Sequence, residues 1–133
     1  MKCVFVINQN LPKGLIANTA SVLGLSIGNT YLCVIGEKTI DKSGSVHEGI
    51  TSIPIPILSS TNERIKEIRN KAIDDSLVRF VDFTNIAQKC KNYDDYIQKM
   101  LNASEDSIEY LGIGLWGNDK SVSRLTGNLP LLR

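Results

Sequence analysis

The sequence has few of the features that support membrane, metal or disulfide-based roles. No apolar run is long enough for a membrane span or a signal-peptide core, and the first covers only residues 3–7. With one histidine and three distant cysteines, Cys3, Cys33 and Cys90, the chain cannot assemble the usual tetrahedral zinc ligands. The cysteines are odd in number and widely spaced, which predicts buried thiols in a reducing compartment. We therefore expect a cytoplasmic protein without a metal or another cofactor.

The chain also lacks an excess of charge of either sign. Fifteen basic and fourteen acidic side chains leave a formal net charge of +1. Such a balance provides no global basic field, so duplex DNA is excluded as a partner and any RNA contact must be local. The mildly basic region begins at residue 111, because the residues from there onward include three basic side chains, Lys120, Arg124 and Arg133, and one acidic side chain, Asp119.

The chain has the composition of a soluble globular protein. Its 133 residues are 42% apolar and 22% charged, without repeats or low-complexity segments. A chain of this length buries roughly two-thirds of its unfolded surface, which is enough for one core. No internal boundary is visible, so we predict a single domain over residues 1–133.

The first half of the chain predicts one central strand, two helices and a projecting hairpin. The continuous apolar run at residues 3–7 is typical of a strand covered on both faces. Turn residues follow, and residues 15–26 have helical periodicity. A tight turn at residues 41–44 predicts a projecting hairpin at residues 39–46. His47, at the end of this hairpin, is expected at the surface. Residues 51–58 are extended, but two prolines confine them to a sheet margin.

The second half predicts further alternating helices and strands. Ser60 and Glu63 form a capping box that begins a helix ending near Asp74. A strand at residues 77–83 precedes two short helices, the second capped by Asn92. A strand at residues 109–116, a helix at 118–125 and an edge strand at 129–132 complete the chain. This order predicts a three-layer α/β/α sandwich with a mostly parallel, mixed sheet of four to five strands.

Two stretches carry a resemblance to a known family. Residues 2–25 contain a strand, a turn with Asn10-Leu11, a glycine and an alanine-containing helix, and residues 111–132 contain a glycine-rich strand followed by Ser-Val-Ser-Arg-Leu-Thr-Gly-Asn-Leu. Both resemble the type II peptidyl-tRNA hydrolases. With Asp82-Phe83-Thr84 and its closing residues 125–133, the whole chain is similar to the family called domain of unknown function 2000, which is grouped with these hydrolases by fold.

The resemblance implies a hydrolase-like fold with an altered site. The hydrolases' lysine, glutamine and histidine would fall at Leu15, Thr19 and Val22, so three polar groups are replaced. Lys13 matches a nearby lysine of that family. Asp82 and Thr84 match its aspartate and threonine, although the intervening Ala-Gly-Arg is missing.

Ligands of open α/β sheets bind beyond the carboxyl ends of the strands, which suggests one pocket for distant residues. We expect Asn10, Lys13, Asn18, Asp82 and Trp116 to meet there. Asp82 would orient or deprotonate a water, or else form a salt bridge or helix cap. Lys13 would hold a phosphate or remain a solvated loop residue.

The other candidates also have two interpretations each. Thr84 binds a ligand or, as its position favours, caps the next helix. Asn10 binds a ligand or belongs to turn chemistry, whereas Asn18 lies inside a helix, where its amide needs a partner. Trp116 stacks on a ring or packs in the core. The pair Tyr93 and Tyr96 is typical of helix packing.

Two function classes follow. The incomplete acid-base set favours a noncatalytic module that binds a small molecule, an RNA end or a protein, including a second copy in a homo-oligomer. The alternative is a hydrolase of an ester or amide bond attached to a nucleotide, with Asp82 and Lys13 as catalytic residues.

Overall fold

The computed structural model describes residues 1–30 and 34–133, and its elements alternate between strands and helices. In chain order they are β1 (Lys2–Asn8), α1 (Lys13–Gly28), β2 (Thr39–Ile40), β3 (Val46–His47), β4 (Ile57–Ser60), α2 (Asn62–Ile73), β5 (Val78–Thr84), α3 (Asn85–Lys89), α4 (Tyr93–Leu101), β6 (Tyr110–Gly117) and α5 (Asp119–Thr126). A short 3-10 turn, Glu105–Ser107, precedes β6.

The main sheet has four strands in the order β4-β1-β6-β5. Strand β1 is parallel to β4 and antiparallel to β6, and β6 is antiparallel to β5. Three strands therefore point one way and β6 points the other way. The prediction of a central first strand in a mixed sheet is confirmed, but only one pair of neighbouring strands is parallel.

Helices cover both faces of this sheet. Helix α1 packs on one face and α2 with α5 on the other, which confirms the three-layer arrangement. The α1 face buries Phe5 and Leu23, whereas the α2 face buries Val6, Ile65 and Ile113. Both faces of β1 are thus covered, which explains why its sequence is apolar without alternation.

Two glycines of β6 allow α1 to approach the sheet closely. A Cβ at Gly112 would lie 2.7 Å from Cγ2 of Thr19, and one at Gly114 would lie 2.7 Å from Cδ1 of Ile27. Larger residues would push the helix away, since real Cβ atoms do not make such short contacts. The glycines therefore accommodate side chains of α1, which occupies this side of β6.

The helix caps follow the predictions with one exception. Thr84 and Asn92 cap α3 and α4 as predicted, and Asn118, predicted as the first residue of the last helix, caps α5. Helix α2 begins one residue later than predicted, because the Thr61 hydroxyl accepts the bond from the Arg64 amide at 3.2 Å. Ser60 is instead the last residue of β4.

The predicted hairpin is present as the antiparallel pair β2 and β3. Gly44 in its turn has a φ of +87°, a conformation that other residues rarely adopt. His47 is exposed, but its Nε2 lies 2.8 Å from Oδ2 of Asp41, an acidic partner that the sequence analysis did not foresee. The Asp41 contact with His47 lowers the pKa of that carboxyl group.

The two predicted marginal strands are shorter than expected. Of the first, predicted at residues 51–58, only residues 57–58 belong to a regular strand, which runs over Ile57–Ser60 at the sheet edge. The segment after α5 makes an isolated bridge between Leu131 and Leu58 rather than a strand. Pro130 has no amide hydrogen and contributes only its carbonyl, which accepts from the Ser59 amide at 2.9 Å.

Candidate functional site

The antiparallel direction of β6 divides the predicted site residues between the two ends of the sheet. Asn10 and Lys13 follow the carboxyl end of β1, and Asp82 lies near the carboxyl end of β5, which points the same way. Trp116 pairs with Cys3 at the start of β1 and with Arg79 of β5. The prediction that all five residues share one pocket is therefore wrong for Trp116, because it assumed that its strand is parallel to β1.

Trp116 is a core residue at its own end of the sheet. Its side chain is only 6% exposed and belongs to the apolar cluster that contains Cys3, Phe5 and Ile27. The packing interpretation of Trp116 is therefore supported over stacking on a ligand.

A continuous depression follows the seam between α1, β5 and the α3–α4 pair, and we call it the α1–β5 groove. It consists of two cavities of about 320 and 610 Å³. They share three apolar residues, Val22, Phe83 and Ala87. The part near α4 is also lined by Ser26, Val81, Asp82, Cys90, Lys91, Asn92, Tyr93 and Tyr96, and the part near the start of α1 by Gly14, Leu15, Asn18 and Gln88.

The strand and the two caps determine how the groove is built. Alternation along β5 directs Val81 and Phe83 toward α1 and Asp82 toward α2. Helix α3 ends at Lys89, and Cys90 after it has an extended backbone. Side-chain Oδ1 of Asn92 then accepts from the Asp95 amide at 2.8 Å to begin α4. This break turns the chain so that the tyrosines of α4 form the far wall.

The Asp82 carboxylate is held in an ion pair. Nε of Arg69 donates to Oδ2 of Asp82 at 2.8 Å. The Asp82 side chain is 17% exposed and the Arg69 side chain is 26% exposed. The same guanidinium lies over the rings of Phe80 and Tyr110, with centroids at 5.5 and 5.7 Å. Arg69 is thus fixed by three partners, and the salt-bridge interpretation of Asp82 is the one supported by the geometry.

The other predicted residues differ in their access to the groove. Thr84 is 1% exposed, and its hydroxyl accepts from the Ala87 amide, so it caps α3 beneath the groove. Lys13 is exposed next to the lining residue Gly14. The Asn10 amide donates to Oδ1 of Asn8 at 3.0 Å, which is turn chemistry.

Asn18 lines the groove, as its place in α1 suggested. Its side-chain amide makes no hydrogen bond within the part of the chain that the structure describes, and the residue is exposed. Asn18 and Asp82 are therefore the predicted residues that line the groove itself.

The Cys90 thiol and the Tyr96 phenol in the groove keep their protons. Burial raises the pKa of Tyr96, and the negative charge of Asp82 raises it further. Burial and Asp95 raise the pKa of the Cys90 thiol, which donates to the Ile86 carbonyl at 3.1 Å. Tyr96 is thus a hydrogen-bond donor, and Cys90 is not an activated nucleophile.

Cys3 does not add to the site. Burial raises the pKa of Cys3 to about 11, as expected for an inert thiol in the core. Cys90 is half-buried, so the prediction that it is buried is only partly met. Cys33 lies outside the described residues.

The sequence analysis missed the contribution of α4. Tyr93 and Tyr96 meet edge to face with centroids 5.4 Å apart, and Tyr93 is 72% exposed. Their i, i+3 spacing directly after the Asn92 cap was visible in the sequence and predicts such a pair. Arg69 carries no comparable signal, because its partner Asp82 is on another element.

Among residues 1–30 and 34–133 no group of three His, Cys, Asp or Glu side chains is placed to hold a metal ion. Over the same ranges no helix is both long and apolar enough to cross a bilayer.

Together the fold and groove define an α/β sandwich with a ligand-sized groove, and no nucleophile and base are paired among the described residues that line it. Comparison with known proteins assigns its family. The model of the family described as protein of unknown function (DUF2000) matches residues 1–133, so the chain belongs to that family. No curated protein matches it.

A solved structure shows the same fold. The protein of unknown function Atu0240 from Agrobacterium tumefaciens strain C58 superposes with a TM-score of 0.86 and 18% sequence identity. The match covers 98% of this chain and 96% of the other. At this identity the likeness extends to the fold alone.

Proposed function

We propose that the protein is a noncatalytic binding module that holds a small molecule with a planar ring in the α1–β5 groove. The proposal assumes that the chain has the type II peptidyl-tRNA hydrolase-like fold that the sequence resemblance implies. The observation that carries the proposal is the ion pair between Asp82 and Arg69, with 2.8 Å between Oδ2 and Nε.

This ion pair matters because Asp82 is the one carboxylate among the described residues that line the groove. General base catalysis requires a carboxylate within reach of a water and free to accept its proton. Here the carboxylate is directed to the α2 face and bonded to Arg69. Leu15 and Val22, which also line the groove, cannot transfer protons.

The walls of the groove suit a flat, partly polar ligand. Phe83 and the tyrosine pair of α4 offer aromatic surfaces, on which rings stack favourably. Asn18, Lys91 and the protonated phenol of Tyr96 offer hydrogen bonds at separate points of the rim. In the part of the groove near α4, apolar surface exceeds polar surface, and a mostly apolar wall with a few polar groups is typical of small-molecule sites.

The hydrolase alternative has less support. It needs Lys13 and Asp82 to act on one substrate, but Lys13 does not line the groove and Asp82 is paired. An RNA end would use the same surface, and a single-stranded trinucleotide distinguishes it from a small ring-bearing molecule.

Binding is tested with adenosine and indole as ring-bearing probes, followed by amide shifts in NMR spectra. We expect saturable shifts at Asn18, Ala87 and Tyr96. Tyr93→Ala should weaken binding about tenfold, in line with the loss of one stacked ring. Leu101→Ala is the matched control, since it removes an equally exposed apolar side chain from the other end of α4. Absence of saturable shifts with both probes would refute the ring-binding proposal.

Catalysis is tested with peptidyl-tRNA as substrate. We expect no turnover above the rate without protein, and no change with Asp82→Asn. Turnover that Asp82→Asn abolishes would replace the proposal with the hydrolase alternative. Shifts in the groove with a single-stranded CCA trinucleotide, but not with adenosine or indole, would instead point to an RNA end.

A further inference from the structure

A second open cavity of about 620 Å³ lies on the opposite side of the sheet from the groove. It is bounded by α2, α5 and the turn at residues 74–77, and we call it the α2–α5 cavity. Its floor contains the buried side chains of Ile68 and Leu125. The inference below concerns this cavity only and does not rest on the proposed function.

The walls of the α2–α5 cavity are held in place by hydrogen bonds. Oδ1 of Asp75 accepts from the Leu77 amide at 2.9 Å, which fixes the turn. The Leu77 carbonyl accepts from the Asn118 amide at 3.1 Å, which ties the turn to the start of α5. The cavity is therefore preformed and needs no rearrangement to accept a ligand.

The helices that form the cavity run in opposite directions. Helix α5 begins beside Leu77, just beyond the end of α2. Pro130, which follows α5, is bonded to Ser59, which precedes α2. The second turn of α5, with Arg124, is therefore directed toward the first turns of α2, with Arg64.

This arrangement separates the charges that line the cavity. Arg64 and Arg124 lie toward one end, and Asp74 and Asp75 lie at the other, beyond the end of α2. The ten-residue separation of Arg64 and Asp74 corresponds to about 15 Å along a helix. Lys71 lies between the two ends.

Several of these groups are available to a ligand. Arg64 is bonded to Glu67 at 2.8 Å through one nitrogen of its guanidinium, which has further donors. Arg124, Lys71 and Asp74 have no ion-pair partner within the part of the chain that the structure describes. Ser121 lines the cavity, is 3% exposed, and its hydroxyl makes no hydrogen bond among the described residues.

We propose that the α2–α5 cavity binds a short zwitterionic peptide with apolar side chains. Its carboxylate lies at the end with Arg64 and Arg124, and its amine lies at the end with Asp74 and Asp75. Extended chain spans roughly 3.3–3.6 Å per residue, so three to four residues bridge a distance of about 15 Å. Polyanions fit poorly, because one end of the cavity would repel them.

Tri-leucine and two blocked forms, N-acetyl-tri-leucine and tri-leucine amide, test this proposal by calorimetry and NMR at low salt. The zwitterion should shift amides of residues 121–125, and each blocking group should weaken binding about tenfold, the effect of losing one charge-assisted hydrogen bond. Equal binding of all three forms, or no saturable shifts around α5 with the zwitterion, would overturn it.

Substitutions at each end make the test specific. Arg124→Gln should weaken binding of the free-carboxylate forms about tenfold and leave the amide unaffected. Asp74→Asn should weaken binding of the free-amine forms and leave the N-acetyl form unaffected. Arg79→Gln, at an exposed position of β5, and Asp106→Asn, in the 3-10 turn, are matched controls that should change none of the affinities. Identical losses for blocked and free forms would contradict the assigned orientation.

Discussion

At the scale of single residues, neighbours on other elements decide what a side chain does. Asp82 illustrates this, because its sequence context allows a catalytic base or a salt bridge. The decision comes from Arg69, which lies thirteen positions earlier on α2 and contacts Asp82 only in the folded chain. The sequence could therefore identify Asp82 as a residue of interest but could not identify its role.

Gly112 offers a direct test of how closely α1 packs on the sheet. Gly112→Ala would place a Cβ 2.7 Å from Cγ2 of Thr19 and 3.3 Å from the Val6 carbonyl oxygen. Because Thr19 is fully buried and the strand backbone cannot yield, we expect a loss of about 1–3 kcal/mol in the free energy of unfolding. Urea denaturation measures this loss.

Gly28→Ala is the control for Gly112→Ala. A Cβ at Gly28 has no atom within 4 Å, and the residue ends α1. Replacing a helical glycine with alanine should stabilise the protein by up to about 1 kcal/mol. If both variants lose stability equally, close packing against β6 is not the reason for the glycine at position 112.

At the scale of secondary-structure elements, the sequence predicted where strands and helices occur but not the direction of β6. Apolar strand runs and capping residues are local signals, so β1, α3, α4 and α5 could be located. An apolar run does not encode its direction, and about 25 residues between β5 and β6 allow either direction. The predicted site therefore wrongly included Trp116, whereas Asp82 and Asn18 were correctly placed at the same end of the sheet.

The Asn92 cap links an element to the groove. Asn92→Ala removes the acceptor for the Asp95 amide and should cost about 1 kcal/mol. Because α4 is a short helix of nine residues, the loss should fall on local opening of α4. Hydrogen exchange should show faster exchange of amides at residues 94–97, and adenosine or indole should bind the groove more weakly.

The matched control is Asn102→Ala at the other end of α4. Its side-chain amide donates to the Gln98 carbonyl at 2.9 Å, but the residue does not line the groove. We expect some fraying of the last turn and no change in probe binding. If Asn92→Ala leaves exchange at residues 94–97 unaltered, the cap does not stabilise the wall of the groove.

At the scale of the whole molecule, the sheet separates the two proposed binding surfaces and leaves its own edges to be covered. The groove is on the α1 face and the α2–α5 cavity is on the other face, so ligands could occupy both at once. The outer edge of β4 is covered by the segment after α5, through Leu132 and Pro130. Sheet edges that lose such cover are prone to pair with another chain.

A chain shortened to end at Leu129 tests whether this segment keeps the edge closed. Removing the segment would free the Ser59 amide and the Ile57 carbonyl, each of which now bonds it at 2.9 Å. Two lost hydrogen bonds should lower the free energy of unfolding by about 1–3 kcal/mol. The exposed edge should also give the shortened chain a mass that rises with concentration more steeply than that of the full chain, as measured by light scattering after size exclusion.

Leu131→Ala keeps the backbone bonds and loses only an exposed side chain, so it should behave like the full chain. If instead Leu131→Ala associates as strongly as the shortened chain, apolar contact rather than backbone pairing protects the edge of β4.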